Sequence, residues 1–435
     1  MGKVMIRNRW VFIIIMFSFL FFHQLTGFVV ERIPAQLSTL ENFSDQWFNI
    51  QLPLESIVAL LFFLIWGFLF DTHSRKKLLS LAGFLWGVSS WLMGIAPTFA
   101  TFNLSRAASG INRASESGIF ALVGDLFKPN NRGKILGLLL LAQPLAFAFG
   151  TILPDFLLAA ISWRVILLIL GAIALMFALI IHVFFQEPKR GAREPALMGV
   201  QITGTYQFDW GIAKVSLKKP GLLMVYACVF FGTIPWFVIQ DGLWIYLNTI
   251  QNLEAGDIYV ILLPTLLGIT LGYPLGGILG DILFRYRRNG RIYVFLLGLV
   301  MPSFCLNFAF RSTNVLQSMF SLCLMGMGFF MAFTWPNLIA SVLDITLPEL
   351  RASAIAIIFL LRAIGIIISP RILSMLGAQV GIQDALMWIC IGSWGVCLIF
   401  CYGLLFFIPQ EMEQLRRHMA YRSHLEARLA QTTTR

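Results

Sequence analysis

DLFKPNNRG (125–133) and DITLPELRA (344–352) fit one frame, D-x-x-x-P-x-x-R-[GA]. Each follows a long apolar run, and the copies lie 219 residues apart in a chain of 435. A polar loop that returns half a chain later, at the same point of its surroundings, implies that a larger plan is repeated.

The flanking runs say what that plan is. Hydrophobic residues make up 58% of the chain and charged residues 12%, with a mean hydropathy of +0.81. Soluble domains average about 45–50% apolar and about 25% charged. Here the apolar residues gather into runs long enough to cross a hydrocarbon core, which takes about 20 helical residues. Twelve spans are predicted: 10–31, 48–70, 78–96, 102–124, 135–158, 164–185, 221–247, 258–283, 292–310, 315–342, 353–376 and 385–408. A segment in lipid must satisfy its own backbone, and the alternation of barrel strands is absent, so the expectation is an all-α membrane protein. The first run follows Lys3, Arg7 and Arg9 and continues to Val30 without a small-residue cleavage site, so it reads as a retained helix.

The cysteines (Cys228, Cys305, Cys323, Cys390, Cys397, Cys401) all fall in apolar spans without metal-ligand spacing. They read as small buried residues, and neither a metal nor a cofactor is implied. No P-loop G-x-x-x-x-G-K-[ST] provides ATP drive, and no H-E-x-x-H or nucleophile motif marks an intramembrane enzyme.

Net charge is +11, and 25 of the 32 Lys and Arg residues lie in the termini and the even-numbered connections. By the positive-inside rule, both termini and those loops are expected in the cytoplasm of a plasma or inner membrane. The basic excess then calls for no nucleic-acid partner.

The even connections show the duplication again. GFLFDTHSRKK (67–77) follows the second span and GGILGDILFRYRR (276–288) the eighth. Asp71 precedes Asp125 by 54 residues, and Asp281 precedes Asp344 by 63. An even number of spans separates the copies, so the repeat is parallel. The boundaries expected are 1–186 for the first six-helix half, 187–220 for a charged linker, 221–409 for the second half and 410–435 for a tail.

This plan resembles that of major facilitator superfamily (MFS) transporters, whose halves are related by an axis along the membrane normal. GFLFDTHSRKKLL resembles the superfamily's G-x-L-x-D-R-x-G-R-[RK] loop, and LSRAASGI (104–111) its R-x-x-x-G motif in the fourth helix. Within it, EPKRG after the sixth span, GYPLGGILGDILFR (272–285) and PNLIASVLDITLPELRASAIAIIFLLRAIGIIISP (336–370) are similar to spinster-like transporters. Three positions depart. Arg113 stands where that family has the acid of G-x-G-E-A, with Glu116 three residues on. Arg362 stands for a His and Ile366 for an Asp. The family's Asp-Arg pair in helix 1 has its nearest match in Glu31-Arg32.

An ionisable side chain at mid-span costs roughly 2.5–3.5 kcal/mol on insertion scales, so such residues are site candidates. Arg113 lies near the middle of the fourth span and Arg106 seven residues earlier on nearly the same face. Glu116 is expected to reach Arg113 on the next turn. Two readings follow: an anion-gripping Arg beside a titratable acid, or a self-neutralising structural pair. His23, Gln240, Trp335, Asn337 and Arg362 complete the candidate binding residues, while Glu31 and Asp241 join Glu116 as candidate proton carriers. His23 suits titration or plain hydrogen-bonded packing. Glu31 and Glu55 read as shallow. Pro235 either breaks or merely kinks the seventh span. The candidate gate is Asp71, Arg75, Arg132, Asp281 and Arg351. Asp71 is expected to meet the positive N-terminus of the eleventh span near Ala352, and Asp281 that of the fifth. The tail 411–430 reads as a helix on anionic lipid or as a solvated segment.

The reading as a whole is a monomeric secondary transporter working by alternating access, with protons as the candidate coupling ion. The resemblance implies an anionic, amphipathic cargo of lysophospholipid type. The alternatives are a small organic anion such as a sugar acid, a lipid scramblase or a receptor. A reporter fused to the C-terminus that fluoresces only in the cytosol should glow; a signal solely from a reporter active outside would overturn the topology.

Overall fold

The computed structural model describes residues 9–37, 45–198, 208–311 and 318–433, the side chains of 32, 34–37, 45–53, 152–160, 427 and 429–433 excepted. Lys3 and Arg7, part of the linker and the Arg32 side chain therefore lie outside the described residues.

The first repeat contains α1 (Arg9–Leu37), α2 (Asp45–Thr72), α3 (Arg75–Gly94), α4 (Phe99–Arg113), α5 (Glu116–Leu126), α6 (Arg132–Leu140), α7 (Ala142–Ala160) and α8 (Trp163–Phe184). A short α9 (Trp210–Ser216) lies in the linker. Then follow α10 (Pro220–Ile245), α11 (Ala255–Tyr286), α12 (Gly290–Arg311), α13 (Ser318–Met331), α14 (Thr334–Ile345), α15 (Arg351–Val380) and α16 (Ile382–Thr433). Polar residues start several of them: Ser74 Oγ accepts from Lys77 N, and Thr98 and Thr101 form a reciprocal capping box. Among the described residues, ten segments are long and apolar enough to cross a membrane; α3 and the α4–α5 pair are not among them.

Three predicted spans are interrupted. The fourth breaks at Ala114–Ser115 between α4 and α5, the fifth at Leu141 between α6 and α7, and the tenth at Ala332–Phe333 between α13 and α14. The first and third breaks fall within one residue of the same repeat position, since 219 residues separate the Asp125 and Asp344 copies. Of the two readings of Pro235, the break is absent: α10 runs through it unbroken and is followed by a π-helical turn, Tyr246–Ile250. The tail also differs from both readings. It continues α16, and its Leu415 and Met419 are buried with Leu197, Ala213, Leu347 and Leu350. The protein itself covers that apolar face.

Helices of each repeat pack mainly on their own kind, α3 on α8 and α10 on α16, while α2 crosses α15 and α6 crosses α11. Both crossings need glycine. A Cβ on Gly67 would lie 2.5 Å from Ala356 Cβ, and one on Gly277 would lie 2.2 Å from the Gly133 carbonyl oxygen. Each glycine stands four residues before the repeated Asp, Asp71 or Asp281. Close backbone approach delivers each carboxylate to the opposing helix. Gly277→Val should force α11 from α6 at an overpacking cost of about 1–3 kcal/mol. In a background lacking native cysteines, Lys134→Cys should then react faster with a water-soluble maleimide; an unchanged rate would show that the crossing tolerates the bulk.

Candidate functional site

Two polar clusters stand out in this apolar molecule. The first lies at the end that carries the basic loops. Asp71, on the last turn of α2, accepts from the amides of Ala352 (3.1 Å) and Ser353 (2.7 Å), which open α15. Asp281 on α11 does the same for Gly133 (3.0 Å) and Lys134 (2.8 Å), which open α6. A carboxylate on a helix N-terminus satisfies orphan amides and meets the positive end of the helix dipole.

Guanidinium groups extend these caps into one chain. Arg75 donates to Asp71 (3.4 Å), to Asp125 and to the Pro348 carbonyl (3.2 Å). Asp125 also accepts from Arg351 (3.1 Å) and from the Gly191 amide (2.7 Å). In the other repeat, Arg291 donates to Asp281 (2.6 Å) and Asp344, and Asp344 also accepts from Arg132 (2.6 Å). Arg132 and Arg351, the matching arginines of the two opening motifs, then donate to the same oxygen, Oε1 of linker Glu194. Burial would raise the Glu194 carboxyl, but Arg132 and Arg351 outweigh it and hold it down at about 2. Neither Glu194 nor Arg291 was singled out in the sequence. Arg291 has a signal in hindsight, as a buried Arg beside the Asp281 motif; Glu194 has none, because the linker occurs once.

The second cluster lies among α1 to α5. His23 Nε2 and Asn112 Oδ1 are 2.7 Å apart, and Asn112 Nδ2 donates to Ser89 Oγ (3.4 Å). An Asn oriented this way makes His23 Nε2 the N–H donor, and Nδ1 then faces Glu116 Oε1 at 3.5 Å. Gln24 Nε2 donates to that same Glu116 oxygen (2.6 Å). Glu116 is thus not the partner of Arg113. The break at Ala114–Ser115 puts them on separate helices, so the expected one-turn pairing fails. Arg113 Nη1 instead donates to Glu55 Oε1 (3.0 Å), while Arg106 Nε donates to Glu55 Oε2 (3.2 Å). The Glu55 side chain is only 13% exposed, held between these two arginines. Glu31, His23, Gln24, Glu55, Asn112 and Arg113 line a common cavity with about 490 Å³ of empty space, part of it open to the outside.

Arg362, on α15, donates to Gln143 Oε1 of α7 (3.2 Å) and stacks over Trp335 of α14 at 5.0 Å. It lies within electrostatic reach of Arg113 and Glu116. Trp335 lines a second, largely apolar cavity with Trp236, Met331 and Leu338. Asn337 does not line it. It is fully buried and donates to the Gly276 (2.9 Å) and Phe333 (2.8 Å) carbonyls, tying α14 to α11. Gln240 and Asp241 are exposed near the far end of α10, apart from both clusters' hydrogen bonds. Among the described residues no group of three or more His, Cys, Asp or Glu could hold a metal ion.

Residues 11–370 match the family model of the Major Facilitator Superfamily. The chain belongs to the major facilitator superfamily. It is therefore an integral, multi-pass membrane transporter. A match to Multidrug resistance protein 3 of Bacillus subtilis is 24% identical over 71% of this chain and 68% of that one. A match to the spinster protein of Drosophila melanogaster is 30% identical over 51% of this chain and 37% of that one, in line with the spinster-like motifs. The fold is that of the human organic anion transporter MFSD10, at a TM-score of 0.67 and 18% identity, covering 90% of this chain and 98% of that one.

The ionised Glu194 sets a pH expectation. Its carboxyl is depressed, so its stabilisation is complete above about pH 4.5 and fades as pH falls toward 2. Removing one member of a buried ion pair costs about 3–5 kcal/mol. Glu194→Gln should lower the melting temperature by a constant margin between about pH 5 and 8, and the margin should shrink in more acid solution. A margin that widens in acid would refute this.

Proposed function

We propose that this transporter moves an anionic substrate by alternating access and that Arg113 grips the anion. One observation carries the reading: the Arg113 side chain is 45% exposed where it lines the cavity, while Arg106, its neighbour on the same carboxylate, is 4% exposed. A guanidinium that is already held in place and still open on one side suits a carboxylate or phosphate head. Arg362 adds a second cation from the opposite repeat, and its contact with Trp335 leads toward apolar cavity walls. That pairing of a cationic centre with apolar walls favours an amphipathic cargo, as the spinster-like resemblance implies; a sugar acid or other small organic anion is the second reading. The likeness to an organic anion transporter agrees with either.

In this reading Arg106 and His23 shape the binding site, and Glu116 or Glu31 carries a coupling proton. Asp241, away from the cluster, is the weaker candidate. Asp71, Arg75, Arg132, Asp281 and Arg351 close the cytoplasmic side. We propose domain limits at 186, 220 and 409, with both termini cytoplasmic and the chain a monomer.

Purified protein should be stabilised by anionic lysolipids or by soluble organic acids. Arg113→Ala should weaken whichever binds by roughly 10- to 150-fold, the value of one charge-assisted hydrogen bond of about 1.5–3 kcal/mol. Unchanged affinity in that variant would end the assignment.

A further inference from the structure

We propose that Glu55 is a built-in substitute for the substrate's anionic group: an incoming carboxylate or phosphate displaces it from Arg113, and the released Glu55 takes up a proton. This rests on the anionic-substrate reading above, and it places the coupling proton on Glu55 in place of Glu116 or Glu31.

The geometry is asymmetric. One carboxylate spans two arginines seven residues apart on α4, at 3.2 Å to Arg106 and 3.0 Å to Arg113. The Arg106 side chain is 4% exposed and that of Arg113 45%. Only the Arg113 end of the bridge can be approached from the cavity. A ligand anion arriving there meets the same donor that Glu55 Oε1 uses, so the two acceptors compete.

The backbone fixes Glu55 in this place. A Cβ on Gly110 would lie 2.4 Å from the Glu55 carbonyl oxygen, so α2 and α4 touch directly between Arg106 and Arg113. Glu55 therefore stays beside Arg106 when Arg113 is taken from it.

Charge then requires the proton. The groups that face this cavity are His23 and Glu31 from α1, Glu55 from α2 and Arg113 from α4, with Arg106 behind and Glu116 of α5 at its inner edge. An anion on Arg113 leaves Glu55 with only one of its two cations in a poorly solvated place, where an incompletely neutralised carboxylate is costly. Glu55 is the carboxylate that loses a cation at that moment. A proton from the aqueous phase adds to the freed Oε1, and one anion and one proton then enter together with no change in net charge.

The test uses the purified full chain in weakly buffered detergent with a pH indicator. Oleoyl lysophosphatidate and glucuronate serve as probes, one for a lipid head and one for a soluble acid. Wild type should take up about one proton per anion bound. Glu55→Gln should bind the same probe about 10-fold tighter or more and take up none. Glu55→Asp, too short to span both arginines, should bind more tightly than wild type and take up less of the proton. This variant decides the matter if Glu55→Gln does not fold. Weaker binding in either variant, or proton uptake that persists in Glu55→Gln, would make Glu55 a fixed strut and overturn the proposal while leaving anion binding intact. If wild type binds neither probe, the substrate reading fails and this proposal with it.

Discussion

Two carboxylates resting on the first amides of helices from the opposite repeat hold the basic end of this molecule together. Asp71 caps α15 and Asp281 caps α6. Everything nearby is arranged to make these contacts possible. Gly67 and Gly277 thin the crossings, and Arg75 and Arg291 neutralise the aspartates from behind. Burying such charges is expensive unless each is paired and hydrogen-bonded. The pairing here is continuous from Asp71 through Glu194 to Asp281.

The fold was legible because its signals are local or repeated. Apolar run length predicts helices, and two copies of one polar loop reveal the duplication. The helix-end position of Asp71 and Asp281, each after a glycine, was enough to name the helices that they contact. The site was less legible because partner choice depends on tertiary placement. Glu116 and Arg113 lie at helical spacing, yet two turn residues at 114–115 separate them, and no strong breaker such as proline announces that turn. Pro235 does look like a breaker, but α10 continues through it. Glu55 sits in an ordinary apolar run, and nothing in its neighbourhood says that α4 will press against it. Asn112 and Gln143 are neutral, so no charge at mid-span marks them, though they hold His23 and Arg362.

The matching breaks in the fourth and tenth spans add a physical point. They separate α4 from α5 and α13 from α14 at nearly the same repeat position. In each case the segment beyond the break is almost wholly buried and ends at the repeated aspartate, Asp125 or Asp344. The far segment can thus stay fixed to the ion-pair chain while the near one is positioned by its own neighbours. Arg113 belongs to the near segment and Glu116 to the far one, so the two belong to one polar cluster without sharing a helix.

Glu194 has a consequence for symmetry. Duplication supplies two copies of the Asp-to-Arg motif, but the join between the copies exists once, and here it places one carboxylate between two equivalent arginines. A single oxygen cannot follow both when they part. Any motion that separates Arg132 from Arg351 must leave Glu194, and the linker with it, on one side. The arrangement seen here can be nearly two-fold; one in which Arg132 and Arg351 have parted cannot, and which of them keeps the carboxylate is written in the linker alone.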